Sequence, residues 1–325
     1  SFPTRRSSDL NVPLFHISSN KIKLIILLLF NNFDINLSTS PIPLKMRKAK
    51  NIQVIHDLVP LKLPYTDLHD KRRFFKLIKA TIEKNDRILT VSETSKNDLL
   101  TLFPEHGSKI HNIYQSVTIP QKYLDKNEFD FENNLLGTYQ LERNGYILFY
   151  GALEPKKNIR RMIEAYLHAN IEIPLVIAGK DGWLIEDELK PIQNTFTYQE
   201  LINGRITRRQ NIIRLPYVPF PNLIDLIRGA KTVFFPSIYE GFGLPIIEAM
   251  ICNTPVITSK YGATAEIAGD AAILVDPYDI NDMATTIRHI MERDVRIDLH
   301  AAMERRVAFF SSDEQEKRLN DALRF

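Results

Sequence analysis

The feature that most limits what this chain can fold into is a rhythm in its second half. Apolar runs near Tyr146–Tyr150, Leu175–Ala178, Asn211–Leu215, Thr232–Phe235, Pro255–Thr258 and Ala272–Val275 alternate with helical patterns at Asn158–His168, Pro221–Gly229, Pro245–Met250 and Ile280–Glu292. Near-continuous apolar strands separated by amphipathic helices predict a parallel, doubly wound sheet with helices on its faces. Ligands of such sheets sit beyond the carboxyl ends of the strands, so the residues that follow each strand are where chemistry is sought. Asp279 and Asp282 mark the start of the last of these helices.

The first half carries a weaker version of the same rhythm. Strands are expected at Ile52–Ile55, Arg87–Val91 and Ile110–Tyr114, and the first of them runs into His56-Asp57 before Pro60. Arg72–Lys84 reads as a basic amphipathic helix with Phe74, Phe75, Leu77 and Ile78 on its apolar side. Its basic face suits either solvent or an anionic membrane surface. Ser92, with Ser95 three residues on, is the candidate N-cap of the next helix. Pro120–Gly145 is polar and acid-rich and is expected to be an interdomain hinge with one short helix.

With 325 residues, 44% hydrophobic and 25% charged, there is room for two domains. A net charge of +3 is too small on this length to argue for nucleic acid as a partner. The single cysteine, Cys252, rules out an intrachain disulfide and fits a reducing cytosol; its apolar neighbours make it a packing residue. The most apolar run, Leu24–Phe30 between Lys21, Lys23 and a polar stretch, falls far short of the roughly 20 residues that span a bilayer. The expected location is therefore cytoplasmic, with peripheral contact at the inner face of the membrane.

The densest motif is Phe235-Pro236-Ser237-Ile238-Tyr239-Glu240-Gly241-Phe242-Gly243-Leu244-Pro245-Ile246-Ile247-Glu248-Ala249-Met250. It reads as a strand end, a glycine-bearing turn and a helix with Pro245 in its first turn, where a missing N–H costs nothing. Glu240 lies on the turn and Glu248 is expected in the first helical turn, beside a helix N-terminus suited to phosphate. Taken bare, the same residues also suit turn-forming glycines and solvated glutamates. As a whole string they resemble the E-x7-E signature of retaining glycosyltransferases with two Rossmann-like domains, the GT-B fold of glycosyltransferase family 4 (group 1, mannosyltransferase-like).

A second motif, Gly151-Ala152-Leu153-Glu154-Pro155-Lys156-Lys157-Asn158, follows the first strand of the second half. Two lysines there can neutralise a diphosphate as compact point charges. The resemblance gives that role to Lys157. Relatives often carry Arg directly after the glycine, and Ala152 here leaves Lys156 as a substitute. The resemblance further implies that His56 lies beside the donor sugar, Glu240 faces it, and Glu248 bonds the nucleotide ribose. It places backbone groups of Phe242, Gly243 and Leu244 against sugar hydroxyls or phosphate, and the base against the backbone near Val218. Ala178-Gly179-Lys180 ends the second strand at the same edge, where Gly179 permits close backbone approach.

The expected activity is retaining transfer of a sugar, with mannose the candidate, from a nucleotide sugar such as GDP-mannose to a glycan or lipid-linked acceptor in polysaccharide or glycolipid biosynthesis. Expected catalytic residues are Glu240, His56 and Lys157; expected donor-binding residues are Lys156, Gly179, Val218, Phe242, Gly243, Leu244 and Glu248. No cofactor is expected beyond the donor. The sequence has no Asp-x-Asp pair, which fits lysines and a helix dipole in place of a divalent metal. Two other activities remain open on this architecture: a nucleotide-sugar epimerase, and a nucleotide-sugar-binding protein without transfer. A glycosidase carboxylate pair is disfavoured by Glu248 at a nucleotide-binding helix.

Residues 1–10, Ser-Phe-Pro-Thr-Arg-Arg-Ser-Ser-Asp-Leu, resemble the translation of a sequencing-adapter oligonucleotide and are read as non-native. Resemblance to the family begins near Asp34, and no glycine occurs before Gly107, so the glycine-rich loop of the first domain is expected to be missing. The expected division is 11–119 for a partial, acceptor-side Rossmann-like domain, 120–145 for the interdomain segment and 146–305 for the nucleotide-sugar domain. A terminal helix at 306–325 is expected to pack back on the first domain.

Overall fold

The computed structural model describes residues 34–66, 70–183, 185–193, 198–202, 205–209 and 212–324. The expectations placed on residues 1–10 and on Leu24–Phe30 lie outside the described residues. Two parallel sheets organise the rest. The first holds β1 (Ile35–Ser38), β2 (Lys50–Ile55), β3 (Arg87–Thr90) and β4 (Ile110–Asn112) in that spatial order. The second holds β5 (Ile147–Tyr150), β6 (Leu175–Ala178), β9 (Ile212–Leu215), β10 (Thr232–Phe235), β11 (Val256–Ser259) and β12 (Ile273–Val275) in the order β12-β11-β10-β5-β6-β9. All its pairings are parallel. An antiparallel hairpin of β7 (Tyr198–Ile202) and β8 (Arg205–Arg209) is inserted between β6 and β9. Two parallel α/β units are what the alternating pattern predicts, and they match the two Rossmann-like domains of the GT-B fold that the resemblance implies.

The strand order decides where ligands go. From β5 the chain winds outward through β6 and β9, then returns to the other side of β5 and continues through β10, β11 and β12. Loops leaving β5 and β10 therefore diverge, opening a crevice at the carboxyl edge between them. Every residue of β5, β6, β10 and β11 is buried, the signature of strands covered on both faces.

In the first sheet the faces alternate. Ile52, Val54 and Leu89 join the same apolar cluster as the second sheet, while Ile55 and Ile88 pack with Ile78 and Ile82 of helix Lys71–Lys84 and with Leu99 of helix Glu93–Leu102. Helix Lys71–Lys84 thus docks through Ile78, Thr81 and Ile82, with Phe75 stacked on Phe103 at 5.3 Å. Ser92 accepts the Ser95 N–H at 3.0 Å, and the Asp279 carboxylate accepts N–H groups of Asn281 and Asp282. Among the described residues no helix is long and apolar enough to cross a membrane.

Two regions carry more structure than expected. Where one short helix was expected, Pro120–Gly145 holds two, Gln121–Leu124 and Glu128–Asn133, followed by a wide turn over Asn134–Thr138. Phe131, Leu135 and Leu141 are buried in it, and the buried carboxylate of Asp225 accepts from Lys126 at 2.5 Å and Asn134 at 2.6 Å. Its apolar residues are too few to show a period, yet each finds a core position. The C-terminal pattern is two helices, Val295–Phe309 and Ser312–Ala322, broken by Phe310, which is fully buried. Gln315 of the second helix donates to the Tyr114 carbonyl at 3.1 Å and accepts from the Ser116 hydroxyl at 2.7 Å, beside the first sheet.

Candidate active site

The site is built from the loops that leave β5 and β10. After β5 the chain turns through Pro155–Lys157 into Asn158, whose positive φ of 63° ends the turn and starts helix Ile159–Ala169. The Asn158 side chain, 2% exposed, donates to the carbonyls of Pro236 at 3.2 Å and Pro277 at 2.7 Å. The carbonyl of Lys156 accepts from Ile238 N–H at 2.8 Å. These bonds tie the lysine loop to the loop after β10, so both lysines meet Glu240. Lys157 Nζ lies 2.5 Å from Glu240 Oε1, over the Phe235 ring at 4.7 Å, and Lys156 Nζ lies 3.6 Å from Oε2.

Charge and burial set how these groups behave. Burial works to raise the Glu240 carboxyl, but the nearby Lys157 and Lys156 charges and the Lys157 hydrogen bond outweigh it and hold Glu240 below the usual carboxylate range. Lys156 experiences the opposite balance: burial lowers it, and the charges of Glu240, Asp57 and Glu154 raise it above the usual lysine range. Burial also pushes Glu154 up, against the pull of both lysines. The centre therefore gathers the two lysines, Lys156 and Lys157, around the buried carboxylate of Glu240. It can stabilise an arriving or departing polyanion and, through Glu240, an adjacent positive charge.

The first unit supplies the facing wall. His56 and Asp57 follow β2, and with Gln115 they line a cavity of about 180 Å³ whose other side includes Lys157, Glu240 and Gly243. Close contact between the walls depends on a glycine: a Cβ on Gly241 would stand 2.3 Å from the His56 carbonyl oxygen. Helix Leu244–Ile251 opens on this cavity, since Phe242, Gly243, Leu244 and Pro245 also line it. No side chain caps that helix start; Pro245 has no N–H and the Ile246 N–H is bonded to the Gly243 carbonyl at 3.0 Å, so what the helix offers the cavity is the positive end of its dipole.

Six of the residues singled out from sequence thus share one cavity: His56, Lys157, Glu240, Phe242, Gly243 and Leu244. Lys156 reaches the same carboxylate without lining the cavity. Glu248 is displaced from its expected position. The helix begins at Leu244, so Glu248 is its fifth residue and stands in the second turn, below the N-terminus. Burial raises its carboxyl above the usual range, and the neighbouring Tyr150 hydroxyl opposes this only in part. Gly179 and Val218 end β6 and precede helix Phe220–Gly229, outside the cavity. The close approach at Gly179 is to the protein itself, since a Cβ there would lie 1.8 Å from the Gly151 carbonyl oxygen. Val218 is half-buried against the core.

Sequence reasoning missed several supporting residues. Asn158 welds the two loops together, Tyr150 underlies Glu248, and Asp98 accepts from the Tyr239 hydroxyl at 2.7 Å. A buried polar residue directly after a lysine pair was the available signal for Asn158. Asp98 carried none, because Tyr239 is 141 positions away.

Comparison with known proteins agrees with this geometry. The chain is 31% identical over 253 residues to O-antigen chain mannosyltransferase B of Escherichia coli, a match that covers 76% of this chain and 63% of that protein. It is 28% identical over 290 residues to O-antigen chain mannosyltransferase RfbU of Salmonella typhimurium, covering 88% of this chain and 73% of that one. This chain therefore spans less than two thirds of the length of the first of these relatives. Among solved structures, a glycosyltransferase from Rickettsia africae superposes with a TM-score of 0.70 at 18% identity, covering 96% of this chain and 83% of that one. Anabaena Alr3699/HepE in complex with UDP and glucose superposes at 0.68 and 17% identity, covering 85% and 71%. Residues 138–308, more than half of the chain and including the Lys157 and Glu240 loops, match the family described as glycosyl transferases group 1, and the chain belongs to that family.

Proposed function

We propose that this protein is a retaining glycosyltransferase that moves mannose from GDP-mannose to a glycan or lipid-linked acceptor in polysaccharide or glycolipid biosynthesis. The observation that carries the proposal is the Lys157–Glu240 pair at the divergence of β5 and β10, facing His56 across a cavity that also receives a helix N-terminus. The choice of mannose is supported by relatives named as mannosyltransferases. In the reaction, the bond between the anomeric carbon and the phosphate oxygen breaks, and its electron pair leaves with the diphosphate. Lys157, with Lys156 behind it, and the start of helix Leu244–Ile251 stabilise that negative charge. Glu240 and His56 lie on the sugar side, where positive charge develops. An acceptor hydroxyl attacks the same face and its proton passes to the departing phosphate, which retains configuration. Glu248 holds the ribose. Lysines supply the charge a divalent metal would otherwise provide. Contact with an anionic membrane is assigned to Lys71, Arg72, Arg73, Lys76 and Lys79, exposed on helix Lys71–Lys84.

Mannose transfer from GDP-mannose to a lipid-linked acceptor, measured beside calorimetric donor binding, tests the proposal. Lys157→Ala and Glu240→Ala are each expected to abolish transfer. Undiminished turnover in either variant removes that residue from the mechanism. Donor conversion without acceptor would indicate an epimerase, and donor binding with no transfer in the unmodified chain would indicate a binding protein.

A further inference from the structure

Helix Glu93–Leu102 is packed in the first unit, yet three groups of the second unit hold it. At its start, Glu266 of helix Gly262–Ala268 accepts from the backbone N–H of Glu93 at 2.7 Å, the N–H of Thr94 at 2.8 Å and the Thr94 hydroxyl at 2.7 Å. Those N–H groups belong to the first turn, which a helix cannot satisfy internally, and a carboxylate there is favoured by the helix dipole. One residue further, Ser95 Oγ lies 2.8 Å from the His56 carbonyl oxygen and 3.3 Å from that of Gly241. A turn later, Asp98 accepts from the Tyr239 hydroxyl at 2.7 Å and pairs with Lys62 at 2.5 Å. Tyr239 and Gly241 are the two neighbours of Glu240, so the helix grips the segment on both sides of that carboxylate.

Glu266 is itself fixed from behind. Arg306 donates to the Glu266 carbonyl at 2.6 Å and to the Ile267 carbonyl at 2.8 Å, which orients the start of this contact from within the second unit. Tyr114 of the first unit lies against the carboxylate, and burial together with the Glu266 charge pushes its phenol up to about 12. Both carboxylate oxygens are engaged, Oε1 by the Glu93 N–H and Oε2 by both groups of Thr94. An amide in its place would turn an NH2 toward a backbone N–H. A one-carbon-shorter acid would withdraw both oxygens.

We infer that Glu266 is a positioning residue for sugar transfer: by capping helix Glu93–Leu102 from the opposite unit, it holds the Tyr239–Gly241 segment, and with it Glu240, at a set distance from His56. The inference rests on the reading that Glu240 and His56 face the donor sugar, but the clasp itself is measurable without activity. Donor nucleotide and diphosphate groups lie on the second unit, so loss of the clasp acts on the reacting geometry and leaves donor affinity in place.

The test is Glu266→Gln in the full chain, with spin labels at Glu83→Cys and Glu304→Cys in a Cys252→Ala background. Both label positions are exposed, at 49% and 70% of the side chain, and they sit on opposite units. Pulsed electron paramagnetic resonance is expected to show a longer and broader inter-label distance in Glu266→Gln than in the parent. With GDP-mannose, kcat is expected to fall roughly tenfold while the calorimetric donor affinity is unchanged, since one charge-assisted bond of the clasp is lost in the reacting geometry. Thr94→Val, which removes only the hydroxyl bond, is expected to give a smaller fall and a smaller distance change. Unchanged distances overturn the clasp whatever the protein transfers. A kcat loss matched by an equal loss of donor affinity, or distances that change while kcat does not, overturns the positioning role.

Discussion

Replacing Lys157 by alanine in the ligand-free protein gives the sharpest physical prediction, because it separates the electrostatics of the site from its catalysis. Glu240 is 7% exposed and its Oε1 has Lys157 Nζ at 2.5 Å. Removing one member of a buried ion pair costs about 3–5 kcal/mol, since the other charge stays buried without its partner. Lys156 remains 3.6 Å from Oε2, so the loss should fall at the lower end, about 3 kcal/mol at pH 7. In the parent protein Glu240 is held below its ordinary value, so its stabilising contribution is present above the unfolded carboxyl range and lost as pH falls through the folded value. In Lys157→Ala burial dominates and Glu240 moves above its unfolded value. Its penalty is then present at neutral pH and disappears as pH falls through that raised value. Urea unfolding of both proteins at pH 7 and pH 5 should therefore show a stability gap that narrows on acidification. Adding Glu240→Gln to Lys157→Ala should close most of the gap at pH 7. A gap independent of pH, or one that Glu240→Gln widens, would refute the assignment of Glu240 as the buried charge that Lys157 compensates.

Gly241→Ala must relieve a 2.3 Å approach to the His56 carbonyl; transfer should fall at least roughly a hundredfold, as for a misplaced reacting group, while donor affinity by calorimetry stays within error. Glu248→Gln should raise thermal stability at pH 7. Burial lifts the Glu248 carboxyl, so its stability is present below the unfolded range and lost as pH rises through the folded value, a loss the amide does not suffer. The same variant should weaken nucleotide binding, measured by calorimetry, by roughly tenfold, the worth of a charge-assisted bond to a ribose hydroxyl. Transfer in excess EDTA should match transfer with added Mg²⁺ if the lysines alone carry the diphosphate charge.

Where the chain packs into the core with a clear apolar run or period, its sequence was easy to read. The expected spans Leu175–Ala178, Thr232–Phe235 and Ile280–Glu292 agree with the structure residue for residue, because apolar runs between turn formers have one way to pack and Asp279 marks the helix start. The hairpin Tyr198–Ile202 with Arg205–Arg209 went unpredicted, since two five-residue stretches, Tyr-Gln-Glu-Leu-Ile and Arg-Ile-Thr-Arg-Arg, hold too few apolar residues to betray a strand. β1 was missed for a different reason: it is only four residues long, and its central apolar residue, Leu37, is exposed. At the site, Glu240 and Lys157 were legible because each follows a strand on a turn-forming string. Glu248 was read one turn too early, because Pro245 fixes the first turn but does not reveal that Leu244 opens the helix. Glu266 was invisible: its partners Glu93 and Thr94 lie 173 and 172 positions away, and nothing local marks a glutamate that will cap a helix of another unit.

The central claim is that the loops after β5 and β10 form a retaining transfer centre around Glu240 and Lys157. Proton NMR of the product formed from GDP-mannose and a lipid-linked acceptor tests it most directly, run in parallel with the unmodified protein and with Glu240→Ala. The account predicts an α-linked mannose, the configuration of the donor, from the unmodified protein and no product from Glu240→Ala. A β-linked product, or α-linked product formed by Glu240→Ala at the parent rate, would contradict it.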